Sequence, residues 1–342
     1  MDISIIIPAY NASQFMARCL DSVFGLEWAD LQYEVIVVDD ASTDGTAGIV
    51  KEYQQKNGNL VLLKQAVNHR QGAARNRGIS VSHGDYIVFV DSDDELAAGV
   101  IQAVRLAQSA NPDMVAMRTE TVSAQGIVER ETFLPYEAGK RFSGIELQNN
   151  YQFWGTAPWM YIFRRSFLND VNYPFAEGVF YEDSDFVNVH LYHAENMAYY
   201  DECCYRCHVH ASSTTSYLSY IKLADYALLG TRMLAFYESI KGKSDEFAGS
   251  MLKGGCYNIM KAFRKVFRLR SGNEARLFYN RFDSFYDRKS LLKYSEMAED
   301  WTAWTRLCLR CRWLAISAFV VLRPVLPIVI SLGKVRRQRK TV

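Results

Sequence analysis

Four short apolar runs separated by helical segments constrain the fold of this chain more than any other feature. The runs lie at residues 3–7, 34–38, 60–63 and 86–90. Their uninterrupted, β-branched character predicts strands that are buried on both faces. Apolar residues at helical spacing predict helices over residues 13–24, from Ser42 or Asp44 to residue 55, and over 72–81. The alternation predicts βαβ units and an α/β fold with a mainly parallel, Rossmann-like sheet.

Polar residues follow three of these strands at the point where each strand ends. They are Pro8, Ala9, Tyr10 and Asn11 after the first strand, Asp39 and Asp40 after the second, and Asp91, Ser92 and Asp93 after the fourth. In an open α/β sheet, ligands bind outside the carboxyl ends of the strands. We therefore expect these residues to gather at one edge of the sheet and to form a ligand site.

The carboxylates of Asp91 and Asp93 leave the fourth strand one residue apart. Both can point toward a bound diphosphate, but they would repel it unless a divalent cation lay between. Mg²⁺ and Mn²⁺ prefer oxygen ligands of this kind, and such an ion would neutralise charge on a leaving diphosphate. We expect Asp93 to be the better metal ligand. The alternative is a polar turn that caps a helix.

Asp40 and Arg75 extend the predicted site on the nucleotide side. An aspartate at position 40 can accept hydrogen bonds from a base N–H or from ribose hydroxyls, although it also suits a turn. Arg75 lies in a polar helix entry, residues 68–78, whose arginines can contact phosphate. The sequence has neither the glycine-rich dinucleotide loop nor the Walker loop, which argues against a nicotinamide enzyme or an ATPase.

The composition excludes some classes of protein. Lysine and arginine total 39 and aspartate and glutamate 38, so the basic excess of a nucleic-acid binder is missing. A hydrophobic fraction of 49% in 342 residues allows a large core. No basic leader or cleavage site opens the sequence, so we expect a cytoplasmic protein. Seven cysteines, an odd number, do not indicate a secreted disulfide framework.

Four segments together resemble the family 2 glycosyltransferases, a large inverting group with the nucleotide-sugar-binding fold called GT-A. The segments are IIIPAYN at 5–11, VVDDASTDGT at 37–46, GAARNRG at 72–78 and FVDSDD at 89–94. The resemblance covers residues 1–216. It implies a catalytic domain with a nucleotide-binding half, residues 1–110, and an acceptor half, residues 111–216.

The resemblance also implies roles in the acceptor half. Asp183, in YEDSD at 181–185, takes the position of the base that removes the proton of an acceptor hydroxyl, with Asp185 as the alternative. The other implied contacts are Trp159, Glu182 and Arg206 at the diphosphate or acceptor, and His208, or else His210, at the metal. The alternative for Glu182 and Asp183 is that they only cap the following helix.

The cysteines offer a different metal site. Cys203, Cys204 and Cys207 lie close together, and Cys308 and Cys311 form a second pair. Zinc sites use cysteines at this spacing. On an extended strand, however, Cys204 and Cys207 point to opposite faces, so we favour buried cysteines over a zinc site.

Beyond residue 216 the periodicity becomes helical, which predicts a helical region over residues 217–312. Residues 313–333 are long enough to span a bilayer, but Arg323, Pro324 and Pro327 interrupt them and basic residues flank them. Basic flanks attract anionic lipids, so we expect residues 313–342 to hold the protein at the inner face of the cell membrane. The alternative is a pair of core helices with a basic tail.

The residues and the resemblance together predict an inverting glycosyltransferase that depends on Mn²⁺ or Mg²⁺. The resemblance implies a UDP-sugar donor and a saccharide or lipid-linked acceptor in cell-surface polysaccharide biosynthesis. The sequence is compatible with a homodimer and with a monomer.

The sequence is also compatible with two other functional classes. One is a nucleotidyltransferase, which would release pyrophosphate, and the other is a non-catalytic scaffold that binds sugar nucleotides.

Overall fold

The computed structural model describes residues 1–134, 136–151, 156–210, 218–243, 245–294 and 303–311. The chain divides into two compact units, Met1–Ser216 and Tyr217–Val342. The first is an α/β unit and the second is helical over its described residues. The segment predicted to associate with the membrane, residues 313–342, lies outside the described residues.

The first unit contains ten described strands in one sheet and seven described helices. The strands are β1 (Ile3–Ala9), β2 (Tyr33–Asp39), β3 (Leu60–Lys64), β4 (Tyr86–Phe89), β5 (Glu95–Leu96), β6 (Met114–Val122), β7 (Val128–Thr132), β8 (Arg141–Phe142), β9 (Tyr161–Arg164) and β10 (Met197–His208). The helices are α1 (Met16–Phe24), α2 (Thr46–Lys56), α3 (Arg70–Val81), α4 (Gly99–Ala110), α5 (Gly144–Tyr151), α6 (Arg165–Val171) and α7 (Glu182–His193). The predicted strands and helices of the first 90 residues are all confirmed.

The sheet has the strand order β3-β2-β1-β4-β9-β6-β10-β5, with β7 paired to β6 and β8 to β10. The four strands β3, β2, β1 and β4 are parallel, as predicted for the nucleotide-binding half. The acceptor half is mixed instead, because β9 inserts between β4 and β6 and runs antiparallel to both. Strands β6 and β10 are again parallel, so the predicted mainly parallel sheet is confirmed, with antiparallel strands in its acceptor half.

Both faces of the sheet are covered, which explains the continuous apolar runs. Ile3, Ile5 and Ile7 face a large core that includes residues of α1 and α4. Ile36 and Val38 face the opposite side, against α3. With both faces covered by helices, the edge where β1, β2 and β4 end is the natural place for a ligand.

The second unit consists of α8 (Tyr220–Ile240), α9 (Asp245–Lys265), α10 (Gly272–Phe285) and α11 (Ala303–Arg310), with 3₁₀ turns at Val266–Arg268 and Arg288–Tyr294. Serine side chains cap two of the helices, since Ser219 accepts from Lys222 N and Ser271 from Glu274 N. Among the described residues, no helix is both long and apolar enough to cross a bilayer.

Candidate active site

The carboxyl ends of β2, β1 and β4 lie side by side, since these strands are neighbours and parallel. Asp40 N donates to Ala9 O at 2.8 Å, which joins the ends of the first two strands. The sequence-predicted residues of the nucleotide side therefore come together at one edge of the sheet.

Asp40 presents an acceptor at this edge. Its Oδ1 accepts a hydrogen bond from His69 N at 2.8 Å, whereas its Oδ2 is buried without a hydrogen-bond partner among the described residues. Burial raises the pKa of the Asp40 carboxyl, although the hydrogen bond from His69 N lowers it in part. A buried acceptor without a donor is costly, so this oxygen suits a ligand N–H or O–H.

Fewer side chains at the end of β1 are accessible to a ligand than the sequence predicted. Pro8 and Ala9 are buried within the strand, and Tyr10 is half exposed. The Oδ1 atom of Asn11 accepts from Thr43 N at 2.9 Å, which ties the loop after β1 to the loop after β2. Tyr10 and Asn11 are both exposed, and Tyr10 offers a ligand the larger surface.

Arg75 joins two carboxylates from distant parts of the chain. Its Nη2 lies 2.7 Å from Asp91 Oδ1, and its Nη1 lies 2.6 Å from Glu182 Oε1. Burial alone would lower the pKa of Arg75. The charges of Asp91 and Glu182 have the larger, opposite effect, so the pKa is raised. The predicted nucleotide residue Arg75 and the predicted acceptor residue Glu182 are thus direct partners.

Asp183 follows Glu182 in the first turn of α7 and is half-buried. Its Oδ1 accepts from Ser184 N at 2.9 Å. Burial, together with the charge of Glu182 and against the opposing charge of Arg75, raises the pKa of Asp183 to about 7. A carboxyl that titrates near neutrality is suited to remove a proton.

The alternative base, Asp185, is less accessible. It is 3% exposed, and its Oδ2 accepts from Tyr173 OH at 2.9 Å. Because Asp183 keeps more exposure at the same helix start, it stays the better candidate for the base.

Asp94, which the sequence presented as the end of a polar turn, organises the other side of the site. Its Oδ2 accepts from Tyr205 OH at 2.7 Å and its Oδ1 accepts from His208 N at 2.7 Å. The Tyr205 oxygen accepts from Asp91 N at 3.1 Å. Burial, with the charges of Asp91 and Asp93, raises the pKa of Asp94 to about 8.

Trp159 reaches the same cluster through Tyr205. The two rings stack with centroids 4.6 Å apart and planes 7° from parallel. This contact brings the predicted acceptor residue Trp159 next to the turn that carries Asp91, and it gives the wall of the site an aromatic surface.

Asp93 contacts His210, the alternative metal histidine, rather than His208. Its Oδ2 lies 2.6 Å from His210 Nε2. His208 Nε2 lies 3.1 Å from Glu95 Oε2, in an ion-pair contact without hydrogen-bond geometry. Ser92, between the two aspartates, is half-buried. The histidine beside Asp93 is therefore His210, the alternative to His208 in the sequence analysis.

The structure does not bring Arg206 to the other predicted residues. Its Nε lies 3.0 Å from Glu120 Oε2 of β6, and its side chain is 46% exposed. Side chains alternate along a strand, and Tyr205, the residue before it, points into the core. A diphosphate contact for Arg206 gains no support from this placement.

The cysteines of β10 make local contacts. Cys203 Sγ lies 3.6 Å from Tyr205 O, and Cys204 Sγ lies 3.3 Å from Glu202 O. Burial raises the pKa of Cys203 to about 11 and also raises that of Cys204, which disfavours the thiolate that zinc requires. Within the described part of the chain, no group of three or more His, Cys, Asp or Glu side chains is arranged to hold a metal ion.

Asn76, which sequence reasoning did not single out, docks the segment that leads to α7. Its Nδ2 donates to Phe175 O at 3.0 Å, and its Oδ1 accepts from Phe175 N at 3.0 Å. One turn earlier, a Cβ on Gly72 would lie 2.2 Å from Ala176 O, so only glycine permits this approach. In the sequence, Gly72 and Asn76 are four positions apart, which places them on the same face of a helix.

The family model for glycosyl transferase family 2 matches residues 4–171, which include the ends of β1, β2 and β4. Residues 4–171 belong to glycosyl transferase family 2. The poly(ribitol-phosphate) β-glucosyltransferase of Bacillus spizizenii is 34% identical over 129 residues, which are 37% of this chain and 20% of that protein. Glycosyltransferase EpsJ of Bacillus subtilis is 30% identical over 213 residues, 59% of this chain and 60% of that protein. The chain thus matches less than two thirds of either relative.

Solved structures establish the GT-A fold. TarS of Staphylococcus aureus, residues 1–349 in complex with UDP-GlcNAc, superposes with a TM-score of 0.62 at 20% identity, covering 87% of this chain and 88% of that one. The mannosyltransferase PcManGT of Pyrobaculum calidifontis, in complex with GDP-Man and Mn²⁺, gives a TM-score of 0.52 at 16% identity, covering 94% and 86%. The predicted family and fold are confirmed.

Proposed function

We propose that this chain is an inverting glycosyltransferase that transfers a sugar from a UDP-sugar to a hydroxyl of a saccharide or lipid-linked acceptor. The observation that carries the proposal is Asp183, a half-buried carboxyl with a pKa of about 7 at the start of α7. Through Glu182 and Arg75 it connects to Asp91, at the edge where family 2 members carry their acidic motif.

The proposed reaction is a single displacement. Asp183 takes the proton of the acceptor hydroxyl as its oxygen attacks the anomeric carbon. The new carbon–oxygen bond forms on the face of the sugar opposite the diphosphate. The bond between the anomeric carbon and the diphosphate oxygen breaks, and UDP leaves. The transition state has oxocarbenium character, as in glycoside cleavage.

The donor nucleotide is proposed to lie along the ends of β1 and β2. Asp40 Oδ2, buried without a partner among the described residues, would accept the base N–H, and the half-exposed Tyr10 would cover the ring. Support for UDP comes from TarS, whose structure holds UDP-GlcNAc. Support for a cell-surface polymer as acceptor comes from the poly(ribitol-phosphate) transferase among the relatives.

A divalent cation fits the donors that Asp93 and His210 present. Asp93 Oδ2 and His210 Nε2 are hydrogen-bonded to each other at 2.6 Å, and both are of the kind that binds Mn²⁺ once the proton between them is lost; His208 is the neighbouring alternative. Metals at such sites commonly take one or two protein ligands and complete their shell with substrate phosphate and water. When bound, the ion would neutralise charge on the diphosphate.

Release of nucleoside diphosphate from a panel of sugar nucleotides, with and without Mn²⁺ and with lipid extract or oligosaccharide as acceptor, tests the proposal. We expect UDP release from one donor, and we expect Asp183→Asn to bind that donor but to turn it over about 10²- to 10⁴-fold more slowly. Release of pyrophosphate would indicate a nucleotidyltransferase instead. Donor binding by the wild type without any turnover would indicate a scaffold.

The same assay separates the two histidines. Loss of the metal ligand should raise the Mn²⁺ concentration needed for half-maximal rate in His210→Ala, by about tenfold or more. His208→Ala should change it less, since His208 contacts Glu95. The reverse order would return the metal role to His208.

A further inference from the structure

We propose that Arg75 is a positioning residue that holds the start of α7, and with it Asp183, at a set place relative to the donor-side carboxylate of Asp91. The inference rests on the proposed function of Asp183 as the base. It replaces the sequence-based expectation that Arg75 contacts the nucleotide.

The contacts of Arg75 leave it little room to bind a ligand. Both terminal nitrogens are engaged, one with Asp91 and one with Glu182, at 2.7 and 2.6 Å, while Nε is buried without a hydrogen-bond partner among the described residues. Its side chain is 3% exposed, and the guanidinium carbon lies 5.4 Å from the centre of the Phe175 ring. A planar fork with both ends bonded to carboxylates is a rigid link between the elements that carry them.

The linked elements lie on opposite sides of the proposed reaction. Asp91 follows β4 and belongs to the donor side, whereas Glu182 is the first residue of α7 and the neighbour of Asp183. The two partners are 91 positions apart in the chain, so no local structure would set their separation. Arg75, on α3 between them, is the direct connection.

The same helix also docks the segment that precedes α7. Asn76 makes reciprocal hydrogen bonds with the backbone of Phe175, and Gly72 permits the close approach of Ala176. Gly178 N further donates to His69 O at 2.9 Å, just before the helix begins. Helix α3 thus holds the start of α7 at several points, and Arg75 is the one that also reaches Asp91.

The charged groups that face Asp183 are Glu182 on its own helix, Arg75 on α3 and Asp91 after β4. Removing the positive charge of Arg75 should therefore favour the protonated form of Asp183. Removing the negative charge of Glu182 should favour the ionised form. A role confined to stability would not produce opposite effects from two partners of one ion pair.

The test compares Arg75→Lys, Arg75→Met and Glu182→Gln with the wild type, and uses Arg105→Met as control. Arg105 pairs with Asp30 in an exposed ion pair, so its loss should change neither turnover nor donor binding. Calorimetry gives the Kd for UDP with Mn²⁺, the UDP-release assay gives kcat, and carbon-13 NMR follows the titration of the Asp183 carboxyl.

We expect Arg75→Lys to lower kcat by about a hundredfold, because a misplaced base costs that much, and to change the Kd for UDP by less than about threefold. The Asp183 titration should move up by about one unit in Arg75→Met and down in Glu182→Gln. If Arg75→Met does not fold, Arg75→Lys and Glu182→Gln still test whether Arg75 positions Asp183.

Two results would overturn the inference. One is a large rise in the Kd for UDP with kcat preserved, which would make Arg75 a nucleotide contact. The other is unchanged kcat and unchanged titration in folded variants, which would make its role structural. If the wild type turned over no donor, the proposed function would fail, and the titration alone would still decide whether Arg75 and Glu182 control Asp183.

Discussion

Turnover by this chain is expected to decrease as the pH is lowered, because Asp183 becomes protonated. Burial, reinforced by Glu182, raises the pKa of Asp183 to about 7. A base acts only in its ionised form, so about nine-tenths of the molecules would be active at pH 8 and about one-tenth at pH 6. The expected loss is therefore about tenfold between these two values, whereas an aspartate with an ordinary pKa would give a flat profile.

The assay is the rate of UDP release at saturating donor, acceptor and Mn²⁺ across this pH range, for the wild type and for Asp183→Asn. The variant should be slower by about 10²- to 10⁴-fold and its residual rate should lack the acid limb. A flat wild-type profile, or an acid limb that persists in the variant, would show that the ionisation of Asp183 does not control turnover.

Protein stability supplies the control for this substitution. The pKa of Asp183 is raised in the folded chain, so its protonated form stabilises the fold below the ordinary pKa, and this contribution is lost as pH rises through about 7. At pH 8, Asp183→Asn should therefore unfold at the same temperature as the wild type or at a higher one. Loss of activity with retained or increased stability would separate catalysis from folding.

Three further predictions concern other parts of the site. Asp40→Asn should raise the Kd for UDP by about tenfold or more in calorimetry, because the ligand loses a charged acceptor. Gly72→Ala should lower the melting temperature, since its Cβ would meet Ala176 O at 2.2 Å, whereas Gly48→Ala, with nothing within 4 Å, should stabilise by about 0.5–1 kcal/mol. Tyr205→Phe removes both hydrogen bonds of a buried hydroxyl and should cost about 1–3 kcal/mol in urea denaturation; an unchanged midpoint would contradict this.

The gathering of residues at the strand ends could be predicted because it depends on local pattern and one general rule. Uninterrupted apolar runs indicate buried strands, and parallel strands end at a common edge. Asp40, Asp91 and Asp93 follow such runs directly, so their placement needs no knowledge of distant contacts. Helix α4 was not predicted, although Val100, Ile101 and Val104 have helical spacing and are buried.

The partners of the site residues could not be predicted in the same way. Arg75 and Glu182 are 107 positions apart, and nothing in either segment specifies the other. Strand β10 also shifts register against β6 between Tyr200 and Tyr205, which no count along the chain would reveal. Such a shift alters which side chains reach the site, so the choice between His208 and His210 depended on the structure.

The anomeric configuration of the product decides whether this chain is an inverting transferase, and proton NMR can follow it with an α-linked UDP-sugar, an acceptor and Mn²⁺. Inverting transfer with Asp183 as the base predicts that the wild type converts the donor to UDP and a β-linked product, and that Asp183→Asn forms this product about 10²- to 10⁴-fold more slowly. A product that keeps the α configuration, or a donor consumed with release of pyrophosphate, would contradict the account.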